Sequence, residues 1–342
     1  MLKILGIPDD FNTCYFYRMF VPGCELNRNP DFEFRVINHT LFSIELLEAM
    51  IKNEFRPDLI ILQRLTEARY IKMLPELKAR GIKVVVELDD NFWAIPPDNP
   101  FCGISSRAHL LTELICQADG CIVSCEQLRK LCSAWNDRTE IIPNYLPDEY
   151  FDLEKNHFQK TRVAPLVMAW FGSFTHFGEL QMIERAIRKL SKKHGSKFKF
   201  IYADPLARCP DWLKPYKPLC ITGVEPIEFV PVLTSLAVDI ALAPVKDNEF
   251  NRCKTPLKML EYGVSKFAVI SSDVGEYKKY SNEIGLTANR PEAWADKVQE
   301  LADNIELRRT LAQSLYNRVD RESRISLGVK RWIEVIDRMI AC

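Results

Sequence analysis

The chain has no uninterrupted apolar run of about 18 residues, the length a membrane-spanning helix requires. Its opening, MLKILGIPDD, is too short in its apolar part for a secretory leader and predicts a first strand. No charge surplus exists either: 46 Lys and Arg stand against 46 Asp and Glu, a formal net charge of +0. An overall field for nucleic acid or anionic membrane is thereby excluded, while a local basic patch stays open. Among the 11 cysteines there is no CxxC pair. The densest group, Cys116, Cys121, Cys125 and Cys132, fits no standard zinc spacing. The cysteines therefore read as reduced, mostly buried thiols of a cytoplasmic protein, with no metal expected. Walker loops, GxGxxG motifs, internal repeats and low-complexity tracts are also missing.

What is present is alternation. With 342 residues, 47% hydrophobic and 27% charged, the chain is long enough for two domains with separate cores. Short apolar runs predict strands at Leu2–Ile7, Phe34–Ile37, Asp58–Leu62, Lys83–Leu88, Gly120–Val123 and Glu140–Ile142. Helical spacing of apolar residues predicts helices between them, over Leu41–Lys52, Glu67–Arg80, Ser105–Ala118 and Glu126–Trp135. Polar, aperiodic Asp152–Arg162 reads as a linker. The alternation restarts with strands at Leu166–Phe171, Phe198–Ala203, Leu219–Thr222, Asp239–Ala243 and Phe267–Ser271. Helices over Gly178–Lys193, Pro226–Ala237 and Thr255–Val264 accompany them, and the C-terminal part is helical over Pro291–Asn304, Ile305–Val319 and Leu327–Ile340. Continuous apolar strands separated by helices mean parallel sheets covered on both faces. The expected fold is α/β, two Rossmann-like doubly wound domains with a cleft between their carboxyl-end loops. Residues 1–155 form the first domain and 163–322 the second, with 323–342 a terminal helix.

The most informative stretch is Asp239–Tyr262, DIALAPVKDNEFNRCKTPLKMLEY: a buried strand, a polar loop, then a helix opening at Thr255-Pro256. Arg252, Lys254 and Lys258 gather at that helix start, where an open α/β sheet takes phosphate-bearing ligands. Lys254 and Lys258, four apart, can lean over the same turn. Glu261, at the edge of the helix's apolar face, needs a partner. A sugar diol would serve, and so would Lys258 three residues earlier. Gly172-Ser173-Phe174-Thr175-His176 follows an apolar strand and precedes a helix. It offers close backbone approach and free N–H donors, with the alternative of an ordinary turn capped by Thr175.

Together these residues resemble the GT-B glycosyltransferases, in particular the retaining family related to sucrose and glycogen synthases. Ile141-Ile-Pro-Asn-Tyr145 resembles the strand leading out of the N-terminal domain. AWFGSFTHFGEL (Ala169–Leu180) is similar to the glycine loop that opens the nucleotide domain. Asp239–Ala243, Lys258–Tyr262 and Phe267–Ser271 resemble the family core. The closing helices resemble its C-terminal pattern, whose last helix crosses back to the first domain. Tyr17-Arg18 and Glu87-Leu-Asp-Asp-Asn-Phe-Trp-Ala-Ile-Pro96 support the match in the first half. The resemblance implies donor binding by Gly172, Ser173, Thr175, His176, Arg252, Lys254, Lys258 and Glu261, with Glu261 on the ribose. The family has a second glutamate eight positions earlier, where this chain has Cys253. Glu249, Asn251 and Arg252 are the nearby substitutes for that contact to the donor sugar.

Asp89 and Asp90, beyond the fourth strand, are the expected catalytic pair near the acceptor, followed by Phe92 and Trp93 for a sugar or base face. The other reading is a capped loop. Tyr17 and Arg18 are candidates for phosphate or acceptor. His109, inside an apolar helix, reads as a core histidine. The run Arg185–Lys199, with Lys214–Lys217, would suit a nucleic-acid acceptor or be a solvated face. The resemblance implies a glycosyltransferase, hexosyl- or pentosyl-, moving a sugar from a UDP- or GDP-linked donor to an acceptor hydroxyl without cofactor or metal. The acceptor is left open among saccharide, lipid-linked saccharide, protein and hydroxymethylated phage DNA. A nucleotide-sugar epimerase and a catalytically silent GT-B partner subunit are the rival readings.

Overall fold

The computed structural model describes residues 1–153, 165–287 and 290–341. Most of the expected linker, and the domain boundary at 155 and 163, lie outside the described residues.

The first lobe is a six-stranded sheet of β1 (Leu2–Pro8), β2 (Phe32–Val36), β3 (Leu59–Gln63), β4 (Lys83–Leu88), β5 (Gly120–Val123) and β6 (Thr139–Ile141). Its order is β2-β1-β3-β4-β5-β6, and every pairing is parallel. All five residues of β3 and all four of β5 are buried, as parallel strands covered by helices on both faces must be.

The second lobe repeats the plan with β7 (Leu166–Phe171), β8 (Phe198–Ala203), β9 (Leu219–Ile221), β10 (Ile240–Ala243), β11 (Ala268–Ser272) and β12 (Gly285–Thr287). Its order, β12-β11-β10-β7-β8-β9, is again wholly parallel. The strand order reverses between β7 and β10. Loops leaving those two strands therefore diverge and open a crevice, where such sheets bind ligands. In the first lobe the reversal falls between β1 and β3. Sequence patterning missed the short edge strand β12 and the helical segment Thr13–Leu26.

That segment starts where the Asn12 side chain accepts from the Cys14 N–H at 2.8 Å. It widens into a π-helical turn over Phe16–Phe20 before Val21–Leu26. Phe16 and Tyr17 leave the first lobe and join the core of the second, beside Tyr262 and Tyr277. The last helix, Ile325–Ile340, buries Trp332, Val335, Ile336 and Met339 against Ile4, Ile61, Val85 and Ile122 of the first sheet. The two lobes are thus tied by packing at both ends of the chain. Among the described residues, no helix is long and apolar enough to cross a membrane.

Candidate active site

A cavity of about 560 Å³ lies between the carboxyl-end loops of the two sheets. The loop after β10 supplies its cations. Asn248 accepts from the Asn251 N–H at 2.8 Å and caps a short turn, Glu249–Arg252. The turn sends Arg252 outward to an exposed ion pair with Asp247 at 2.6 Å, so Arg252 does not line the cavity. Lys254 does, and its Nζ lies 2.9 Å from Asp90 Oδ1 across the cleft. The helix proper runs over Leu257–Val264, two residues later than sequence spacing suggests. Its Lys258 lines the cavity with no hydrogen-bond or ion-pair partner among the described residues. Burial lowers the Lys258 pKa, Glu261 opposing this and Lys254 reinforcing it.

Glu261 does not pair with Lys258. The Tyr17 hydroxyl reaches it instead, donating to Oε1 at 3.0 Å across the lobe boundary. Burial pushes the Glu261 carboxyl up to about 7, against the pull of Lys258 and the Tyr17 hydroxyl. Tyr17 and Glu261 both line the cavity.

Beyond β7, Gly172 sits where a Cβ would come 2.6 Å from Trp170 Cζ2, so the close approach requires glycine. Ser173 Oγ and Thr175 Oγ1 are 2.6 Å apart, and the Phe174 N–H donates to Asp204 Oδ1 at 2.8 Å. Thr175 is not the helix cap; Ser173 holds that position and makes no side-chain cap bond. His176 Nδ1 lies 3.5 Å from Glu179 Oε2. Burial lowers the His176 pKa, with its contact to Glu179 opposing this. Asn251 Nδ2 donates to Glu179 Oε1 at 3.0 Å and to the Lys246 carbonyl at 3.0 Å.

The first lobe contributes the opposite wall. Asp89 and Asp90 line it together with Arg64. Arg64 stands at φ 59, in the left-handed region, at the end of β3. It holds three carboxylates at once: Asp9 at 3.5 Å, Asp89 at 3.6 Å and Asp90 at 4.0 Å. Burial works against ionisation of Asp90, but Lys254 and Arg64 outweigh it and keep its pKa low. For Asp9 burial prevails, and its carboxyl rises to about 7. Neither Arg64 nor Asp9 was singled out by sequence reasoning; their loops follow β1 and β3, adjacent only through the strand order.

Arg18 is committed elsewhere. It is 1% exposed, with Nε 2.7 Å from Glu87 Oε1 and Nη1 donating to the Ile142 carbonyl at 2.6 Å and to Asn144 Oδ1 at 3.1 Å. Gln63 satisfies the other Glu87 oxygen at 2.9 Å. Arg18 and Asn144 both line the cavity, and Arg18 Nη2 is buried with no hydrogen-bond partner among the described residues. Of the two aromatics after Asp90, Phe92 lines the cavity, whereas Trp93 turns away to pack on Trp135 at 4.5 Å. His109 is exposed rather than in the core, its Nδ1 3.0 Å from the Ser106 carbonyl. Cys253, at the position of the expected glutamate, is 6% exposed and faces the first lobe. Its Sγ accepts from Asn91 Nδ2 at 3.6 Å and its carbonyl from Cys125 Sγ at 2.9 Å. Of the nearby substitutes, only Asn251 lines the cavity.

The basic run is neutralised only in part: Lys192, Lys197 and Lys199 have no ion pair among the described residues. On the helix Glu184–His194, Arg185, Lys189 and Lys193 pair with Glu292, Asp296 and Asp303 of the helix Pro291–Asp303, and Arg188 pairs with Glu184.

No protein-family model matches the chain, and no curated protein matches it either. Solved structures do match along the whole length. HepE of Anabaena, solved with UDP-glucose, is 11% identical with a TM-score of 0.71, over 99% of this chain and 100% of that one. Sucrose-phosphate synthase of Thermosynechococcus elongatus is 13% identical with a TM-score of 0.71, over 100% of both chains. The UDP-GlcNAc 2-epimerase of Neisseria meningitidis, solved with UDP-GlcNAc, reaches a TM-score of 0.60 at 13% identity, over 98% and 100%. The paired parallel sheets, the cleft between their carboxyl ends and these matches establish that the chain has the GT-B fold.

Proposed function

We propose that the protein is a cytoplasmic, metal-independent glycosyltransferase that moves a sugar from a UDP- or GDP-linked donor to an acceptor hydroxyl. The observation that carries this reading is Lys258: a half-buried ammonium in the cavity wall, without a partner, one turn from Lys254. A cation held there uncompensated is matched to an anion that arrives from outside. As the glycosidic bond breaks, the leaving diphosphate gains charge, and Lys254 and Lys258 stabilise it more in the transition state than in the ground state. Gly172 and Ser173 bring backbone close to the same phosphates. Glu261 takes the ribose hydroxyls, sharing or exchanging its contact with Tyr17.

Across the cleft, Asp90 is engaged by Lys254 and is a poor proton acceptor. Asp89, steered by Arg64, is the carboxylate assigned to the acceptor hydroxyl, as base or as positioning group. Four of the five cations on the basic helix are already engaged by carboxylates, which lowers the charge on offer to a DNA acceptor and favours a small hydroxyl acceptor.

The test is product analysis after incubation with UDP-glucose, UDP-N-acetylglucosamine and GDP-mannose, with and without a panel of sugar acceptors. Acceptor-dependent release of UDP or GDP is expected. An epimerised nucleotide-sugar without acceptor would assign the chain to the epimerases. Failure of every donor to bind would leave it a silent subunit of this fold.

A further inference from the structure

One carboxylate in the cavity wall is left over once the diphosphate and ribose are placed. Glu179 and Glu261 are the acidic side chains that the second lobe contributes to the lining, and Glu261 is committed to the ribose. Glu179 is 9% exposed, so its charge must be supported from within the protein. Two side chains and its own backbone N–H support it. Asn251, itself 2% exposed and anchored on the Lys246 carbonyl, donates to Oε1 at 3.0 Å, and His176 Nδ1 stands 3.5 Å from Oε2. Burial opposes ionisation, but the His176 and Asn251 contacts prevail and hold the carboxyl low.

A carboxylate offers about four acceptor positions. The contacts from Asn251, His176 and the Glu179 backbone N–H leave at least one position open on a carboxylate that lines the cavity. The position of that capacity follows from the cations. Along the second lobe's wall Glu261, Lys258 and Lys254 succeed one another, and Lys254 meets Asp90 of the first lobe. His176 senses Lys254, Lys258 and Glu179, and Asp90 senses His176. Lys258 senses both Glu179 and Glu261, so the His176–Glu179 pair stands by the cation row on the glycine-loop side of the cavity, and a ribose on Glu261 leaves Glu179 for the group attached to the distal phosphate.

We propose that Glu179, fixed by Asn251 and His176, is the residue that binds the hydroxyls of the sugar being transferred. The inference rests on the donor assignment above. A rigid ionised carboxylate accepts from two adjacent hydroxyls at once, and it rejects a sugar whose hydroxyls are missing or turned away, because its charge is then desolvated without return. Asn251 is the positioning residue: it aims the carboxylate and needs no contact with the ligand.

Calorimetric titration of wild type and Glu179→Gln with UDP, UDP-glucose and UDP-N-acetylglucosamine tests this, with melting curves alongside. Glutamine keeps the length and can still accept from Asn251. The Kd for UDP should change by no more than about twofold, while that for the better-bound UDP-sugar should rise about tenfold or more, the loss of a hydrogen bond to a charged group. Glu179→Asp, which retains the charge one methylene back, should weaken the same UDP-sugar and leave UDP alone. It serves as the second reading if the glutamine variant melts early. Equal weakening of UDP and UDP-sugar, or no weakening of either, would overturn the role of Glu179 while leaving the donor site standing. Wild-type protein that binds none of these ligands, nor GDP or GDP-mannose, would overturn the donor assignment and this proposal with it.

Discussion

Replacing Glu261 by glutamine should make the free protein more stable at pH 8 while loosening its grip on nucleotide. The carboxyl titrates at about 7 in the folded chain, against an ordinary 4.5. Its folded pKa lies above its unfolded one, so folding favours the protonated form. That contribution is present at low pH and is lost as the pH rises through 4.5 toward 7. By pH 8 the buried charge costs about 3 kcal/mol, and at pH 5 less than about 1 kcal/mol. Glutamine removes the charge and still accepts from the Tyr17 hydroxyl, so the variant should gain most of that difference at pH 8. In a lobe of this size the gain is roughly 6–12 °C in Tm. The same variant should bind UDP about tenfold or more weakly, because the ribose loses an ionised acceptor. Thermal melts of both proteins at pH 5 and pH 8, with UDP calorimetry at pH 8, decide the matter. A glutamine variant that is less stable at pH 8 and binds UDP unchanged would refute the reasoning and make Glu261 a structural anchor for Tyr17.

Three further outcomes follow from the geometry. Lys258→Ala should leave Tm level or slightly raised, since no internal partner is lost, and should weaken UDP by roughly 1.5–3 kcal/mol; a melt several degrees lower with unchanged affinity would contradict this. Arg18→Met strands Glu87 in the core and should destabilise the protein by about 3–5 kcal/mol in chemical denaturation, with Arg18→Met/Glu87→Leu recovering most of it. Loss of donor binding without loss of stability in the single variant would instead place Arg18 on the ligand. Finally, UDP-glucose binding by wild type should fall toward roughly tenfold per pH unit below 7, as Glu261 must give up a proton to take the ribose; in Glu261→Gln the calorimetric profile should be flat over that range.

Eleven of the twelve strands could be read from the chain, the central ones because parallel strands buried on both faces leave unbroken apolar runs. The twelfth, Gly285–Thr287, has a single aliphatic residue among its three and leaves no such run. Thr13–Leu26 carries Pro22-Gly23, two poor helix formers that weaken its pattern, although proline is tolerated in the first turn of Val21–Leu26, where it sits. The cation row was legible from helical spacing alone. Its partners were not. Spacing offers Lys258 to Glu261, yet the bond forms with Tyr17, 244 residues away in sequence. Glu179 meets Asn251 across 72 residues, and Arg64 meets Asp9 only because β3 lies beside β1. Contacts made by topology rather than by periodicity carry no local signature, and most of the cavity's acid–base wiring is of that kind.

A crystal structure with UDP bound tests the central claim most directly. The account predicts the diphosphate in the cleft with an oxygen in hydrogen-bond reach of Lys258 Nζ, and the ribose hydroxyls on the Glu261 carboxylate. UDP bound outside the cleft, or a cleft still empty at saturating UDP with Lys258 turned to solvent, would contradict it.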